Sequence, residues 1–222
     1  MYKGSGIPGI VKMTLILMIV AIMAWLVIGC GFLNYPHTIA AQTALSTFQD
    51  LGKNMKTYTN EQYKFAISYP TTWDKIVFVQ GITESGRQIL VTFLSPLENP
   101  SDLFREYLTI EVANFSPRTA VEKSKLIQYG ENQVSVYRKS LQGFHVLARS
   151  DQFNNSVLNI GNPACYKVLY NFIDTTAGKI NVLDIYCAKE SKVYLISFQS
   201  DSNKYSLYLP IIKLMVNSLK LS

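Results

Sequence analysis

The sequence predicts an α+β domain carried behind one N-terminal transmembrane helix, on three observations. Residues 13–33 form a run of twenty-one without a charged side chain. From residue 58 onward, apolar and polar residues alternate in short blocks, the period of a half-buried strand. After Tyr205 the apolar positions fall instead at steps of three and four, which is helical spacing.

At the helical rise the first run spans roughly 30 Å, about the hydrocarbon thickness of a bilayer. Lys3 and Lys12 precede it and no charge follows before Asp50. The positive-inside rule then leaves residues 1–12 in the cytoplasm and places the rest outside the cell membrane. A secretory signal has a shorter apolar stretch, about 7–15 residues, before its small-residue cut. Here the nearest equivalent, Thr38-Ile39-Ala40-Ala41, lies well past the end of the run. Val27-Ile28-Gly29-Cys30 resembles a lipobox, which would make Cys30 a lipidated N-terminus, although Gly31-Phe32-Leu33 continue the apolar run. An uncleaved single-pass anchor is the expectation, with lipoprotein and secreted forms as alternatives. Each delivers the domain to the same side. Residues 34–56, which hold Ala, Thr, Gln, Ser and Gly with few large apolar residues, read as a tether between the anchor and a domain over 57–222.

In that domain Tyr63, Phe65, Ile67 and Tyr69 alternate with Lys64, Ala66 and Ser68, and Pro70-Thr71-Thr72-Trp73 closes the strand as a turn that folds Trp73 onto the core. Strands are expected at 75–80, 88–95 and 107–115. Ser116-Pro117 opens a short helix over 119–129, which Gly130 stops. Further strands are expected at 134–141, 144–149, 165–173, 180–188 and 193–199. In the closing helix Tyr205, Tyr208, Leu209, Ile212, Met215 and Val216 make one apolar stripe. Pro210 falls inside it, so the helix either begins near Tyr208 or kinks. Antiparallel strands with two helices in this order make an α+β domain.

Cys165 and Cys187 lie on neighbouring strands joined by the turn 174–178. If Ile173 faces Lys179, the register sets Cys165 opposite Cys187, with Cα atoms about 4.5 Å apart in a non-hydrogen-bonded pair. An oxidising location then favours a disulfide, with two reduced thiols as the alternative.

The remaining chemistry is sparse. Of the 21 Lys and Arg, 19 remain beyond Lys3 and Lys12, against 15 acidic residues, a balance of +4. They are scattered, which gives nucleic acid no basic patch. Two histidines, His37 and His145, leave a His metal site or a Ser-His-Asp arrangement almost no material. No G-x-S-x-G, P-loop or C-x-x-C spacing occurs. Glu98, Asp102 and Glu106 surround the loop 96–104, where hard oxygen ligands could hold calcium, although their spacing matches no calcium loop and a solvated loop is the plainer reading. Asn154-Asn155-Ser156 is a glycosylation sequon in a loop facing outside. No catalytic or cofactor-binding residue is assigned.

The cassette Tyr58-Thr-Asn-Glu-Gln-Tyr-Lys-Phe-Ala-Ile-Ser-Tyr-Pro-Thr-Thr-Trp73 resembles the opening of PsbP-like domains, whose first strand ends in a Tyr-Pro-x-x-Trp turn. Val91-Thr-Phe-Leu-Ser-Pro96, the strand after it, and a C-terminal helix ending in a short Ser-x-Lys-x strand extend the likeness to about residue 221. The resemblance implies an α/β/α sandwich around an antiparallel sheet, a fold shared with a Ran-binding import factor. It also implies an accessory role, as in the extrinsic photosystem subunits that help retain calcium and chloride. The chain departs from those subunits in carrying its own anchor. The expected function is a non-catalytic extracytoplasmic module that docks on an envelope membrane protein, without a cofactor. The alternative is a small-ligand or calcium receptor, which a cleft lined by several of the fourteen tyrosines would favour.

Overall fold

Alternation of apolar side chains over residues 88–112 and 165–198 gives this chain a central sheet with two buried faces, each needing its own cover. The computed structural model describes residues 54–79, 86–100, 104–114, 123–150 and 165–222. The predicted anchor 13–33, most of the tether, Cys30, Asp102 and Asn154 lie outside those residues. No helix among the described residues is long and apolar enough to cross a membrane.

The described strands are β1 (Met55–Asn60), β2 (Phe65–Pro70), β3 (Asp74–Val77), β4 (Gln88–Leu94), β5 (Tyr107–Asn114), β6 (His145–Arg149), β7 (Cys165–Asp174), β8 (Gly178–Lys189), β9 (Lys192–Asp201) and β10 (Lys220–Leu221). Helix α1 (Lys123–Ser140) precedes β6, and α2 (Tyr205–Asn217) follows β9. Seven strands form one antiparallel sheet in the order β3-β4-β5-β9-β8-β7-β6, and β1-β2-β10 form a second, smaller one. The domain is therefore α+β, with a helix on each face of the large sheet and the small sheet beside α2.

The α2 face is closed by Ile211, Ile212, Met215 and Val216, packed on residues such as Phe93, Ile110, Ile185 and Phe198, all 1% exposed or less. Phe65 and Ile67 of the small sheet join the same cluster, as does Trp73, held by the bond from its N–H to the Pro70 carbonyl. Pro210 sits in the second turn of α2 on its exposed side, and the helix begins at Tyr205, earlier than Tyr208. The small sheet is a correction to the tether: its β1 begins at Met55 and pairs with β2 from Met55↔Pro70 to Asn60↔Phe65.

A second correction concerns α1. The expected stop at Gly130 and strand at 134–141 are one continuous helix. Leu126, Val134 and Tyr137, at helical spacing, turn to the sheet, where Leu126 and Val134 are buried against Val168, Val182 and Tyr186. Gly130 belongs in that row because a Cβ there would lie 2.5 Å from Tyr166 Cδ1. The glycine marks close helix–sheet contact rather than an end.

Candidate binding cleft

Helix α1 packs against β7 and β8, and the side chains along its edge form a cleft with the sheet. The cleft encloses about 680 Å³. Gln133, Val136, Tyr137 and Ser140 of α1 form one wall, with Leu141 just beyond. Glu111 of β5 and Leu195, Ser197 and Gln199 of β9 make the floor. Tyr170 and Phe172 of β7, together with Arg87 just before β4, complete it. The floor follows from strand register: Thr109, Glu111, Ser197 and Asp184 fall on the face opposite Leu108, Ile110, Ile196 and Ile185.

Arg87 ties the walls together. Its Nε donates to Glu111 Oε2 at 2.6 Å, one terminal nitrogen to Gln133 Oε1 at 2.7 Å, and the other to the Tyr137 hydroxyl oxygen at 2.9 Å. The ion pair is buried, with side chains 6% and 12% exposed. Burial opposes the guanidinium charge, but Tyr137 and Glu111 outweigh it and hold Arg87 protonated well above its ordinary pKa. Burial, with Asp184 next, raises the Tyr137 phenol. The Tyr107 phenol, buried and near Glu111, is pushed up to about 12.

Beneath the floor lies Asp184, 1% exposed and in mid-strand. The hydroxyls of Tyr170 and Tyr186 donate to its Oδ2 at 3.3 and 3.0 Å. Its Oδ1 has no hydrogen-bond partner among the described residues. Burial raises the Asp184 carboxyl to about 6, against the opposing pull of Ser197, Arg87 and Tyr186. Asp184 does not line the cleft, and among the described residues the lining contains no His, Cys or Lys. The arrangement offers hydrogen bonds and aromatic surface.

The residues singled out from sequence lie elsewhere. Glu98 and Glu106 meet at Lys204, just ahead of α2, whose ammonium is 3.1 Å from Glu98 Oε2 and 3.9 Å from Glu106 Oε1. Tyr208 donates to Glu98 Oε1 at 2.9 Å, so these carboxylates surround a lysine. No group of three or more potential metal ligands occurs among the described residues. Cys165 and Cys187 form a disulfide in the register read from the turn, with Cα atoms 4.3 Å apart. His145 is an exposed residue of β6. Arg87, Glu111, Tyr137 and Asp184 were not singled out by their sequence. Glu111 and Asp184 did carry a signal, as isolated carboxylates inside apolar strands.

No family model matches the chain, and no curated protein matches it. Solved structures do. The cyanobacterial PsbP (CyanoP) of Synechocystis sp. PCC 6803 is 8% identical and aligns over 76% of this chain and 93% of its own, with a TM-score of 0.53. The Ran-binding protein Mog1p of Saccharomyces cerevisiae is 8% identical over 76% of this chain and 95% of its own, at 0.46. LpqN of Mycobacterium tuberculosis, a protein involved in cell envelope biogenesis, is 8% identical over 77% and 94%, at 0.47. The latter two scores carry no inference. The match to nearly the whole cyanobacterial domain, joined to the order of sheets and helices above, gives this chain the PsbP-like fold.

Proposed function

We propose that this chain is a non-catalytic binding module, held at the outer face of the cell membrane by residues 13–33, and that the cleft beside α1 is where it binds. The observation that carries this reading is the cleft itself. Its volume falls within the roughly 300–1,000 Å³ of ligand sites, and its Tyr137 and Gln133 are held by a buried ion pair. Preformed walls lower the ordering cost of binding. A small ligand therefore has more support than calcium, whose candidate carboxylates Glu98 and Glu106 already face Lys204. An envelope membrane protein remains the partner this module would serve, through confinement near the bilayer.

A photo-crosslinking residue in place of Val136, at the exposed edge of the cleft, tests the reading in intact cells, with the same residue in place of Leu214 on the exposed side of α2 as control. An adduct at position 136 and none at 214 supports it. Equal labelling, or adducts at 214 alone, removes the cleft as the binding site. Protease added outside the cells should also release the domain; a fully protected domain would place it on the wrong side.

A further inference from the structure

We propose that the cleft takes an uncharged, polyhydroxylated ligand, an oligosaccharide chain, with more than one ring seated along the sheet. The inference rests on the reading of the cleft as the binding site and goes beyond it in naming the chemistry.

Charge comes first. Arg87 and Glu111 are the charged residues of the lining, and they are joined to each other at 2.6 Å. Arg87 directs one N–H from each terminal nitrogen to Gln133 and Tyr137. A phosphate or carboxylate would have to break this buried pair to reach the guanidinium, and an ammonium group would meet the same obstacle at Glu111. The cleft is thus matched to a ligand without net charge.

The polar groups come next. Gln133, Gln199, Ser140, Ser197, Tyr137 and Tyr170 are carboxamides and hydroxyls, side chains that both donate and accept. Because Arg87 donates to Gln133 Oε1 and to the Tyr137 oxygen, the Gln133 amide hydrogens and the Tyr137 proton remain for acceptors elsewhere. Tyr170 commits its proton to Asp184, which leaves its oxygen lone pair as an acceptor. The cleft therefore offers donors on the helix wall and an acceptor on β7. A sugar hydroxyl satisfies both kinds at one atom. Half-buried Tyr137 and Phe172 add aromatic surface, which suits the C–H faces of a pyranose ring, and Tyr170 backs Tyr137 from within.

Length follows from the neighbouring hollow. A second depression of about 350 Å³ shares Glu111, Ser197 and Gln199 with the cleft and continues over Thr92, Thr109 and Tyr107. Thr92 and Thr109 hydroxyls bond each other at 2.9 Å, and Ile89 and Leu94 flank them, so beyond Glu111 this stretch adds hydroxyl and apolar surface without a further charge. A peptide suits the trough less well. It lies over the face of the sheet, where strand backbones are already paired, and an extended peptide gains its affinity from a free strand edge.

Calorimetry on the full-length chain, purified without glycosidic detergent, tests this with cellohexaose, maltohexaose and chitohexaose, and with hexaglycine and inorganic phosphate as contrasts. Each is taken to about 10 mM, above the millimolar Kd of a weak ligand. The expected result is saturable heat from at least one oligosaccharide and none from the contrasts. Gln199→Ala should weaken it about tenfold, the loss of roughly one hydrogen bond's worth of affinity. Ser140→Trp, which fills the cleft from the exposed end of α1, should abolish it with the melting temperature unchanged. Silence from all three oligosaccharides overturns the proposal, as does oligosaccharide heat that survives both substitutions. If position 136 still labels a cellular component in either case, the binding module stands and only the saccharide assignment falls.

Discussion

The two faces of the seven-stranded sheet are built on opposite rules. On the α2 side, Phe93, Ile110, Ile185, Ile196 and Phe198 meet a helix and a second small sheet in one apolar cluster, with the buried Glu106 confined to its margin beside Lys204. On the α1 side, the same strands present Glu111, Ser197, Gln199 and Asp184, and the side chains between them and the helix leave a cleft. Removal of apolar area from water is the main force holding a domain together, so the α2 face carries most of the stability. Buried charges contribute little net stability and hold groups in defined positions instead. The difference teaches where this fold can carry a site: on the face whose polar side chains are offset by a well-packed reverse.

The largest expected effect breaks that comparison most directly. Phe93 is fully buried, its ring 4.5 Å from that of Tyr69. Phe93→Ala should lose about 3–5 kcal/mol, the usual range for deleting a core aromatic ring. Gln199→Ala, on the cleft floor of the other face, should stay within about 0.5 kcal/mol. Urea denaturation of both variants measures the contrast. Losses of similar size would mean that the cleft floor is structural and that the two faces do not divide their roles.

Asp184 sharpens the comparison through pH. Its carboxyl sits at about 6 in the folded protein, against 3.8 for an exposed aspartate. Well below 3.8 both states hold the proton and burial of the group carries no charge penalty. As pH rises, the unfolded chain ionises first, so stability falls between 3.8 and about 6 and stays lower above that. A shift of about two units corresponds to about 3 kcal/mol. Facing Asp184 are Tyr170, Tyr186, Ser197, Arg87 and Glu111, which between them do not cancel the burial. Asp184→Asn keeps an oxygen for the two tyrosine hydroxyls and removes the charge. The variant should melt above the parent at pH 8, with the gap closing by pH 4. A parent that is the more stable at pH 8 would show that the carboxylate is compensated in place.

Much of the α2 face was legible in the sequence, because period-two strands and a period-3.6 helix each state which side is buried. The β7–β8 register was read from one turn, where Asp174 Oδ1 accepts from the N–H groups of Thr176 and Ala177. The cleft was not legible, and one residue explains much of that. With Gly130 taken as a helix stop, Val134, Val136 and Tyr137 looked like a β-branched strand, so the wall that carries Gln133, Tyr137 and Ser140 had no helix to share. The spacing Leu126, Gly130, Val134, Tyr137, Leu141 held the signal. Arg87 gave none, since its partners Glu111, Gln133 and Tyr137 are 24, 46 and 50 residues away. Two strands of the small sheet, β2 and the short β10, were read from sequence, whereas β1 was missed because Met55–Asn60 is mostly polar and pairs through backbone.

The smallest effect tests that reading of Gly130. In an ordinary helix interior, glycine to alanine stabilises by about 1 kcal/mol. Here the added Cβ would lie 2.5 and 2.8 Å from Tyr166 Cδ1 and Cε1. Tyr166 cannot swing aside cheaply, because its hydroxyl donates to Glu131 Oε1, which Arg149 also holds at 2.8 Å. Overpacking of this kind costs about 1–3 kcal/mol, so the propensity gain is outweighed. Gly130→Ala should therefore lower stability by about 1 kcal/mol, which at this domain size moves the melting temperature by about 2–4 °C. The decisive measurement is the double-mutant cycle with Tyr166→Ala. With the ring gone, Gly130→Ala should become neutral or stabilising, as at any helix position. If Gly130→Ala raises the melting temperature with Tyr166 in place, α1 lies farther from β7 than that close contact requires, and the wall of the cleft with it.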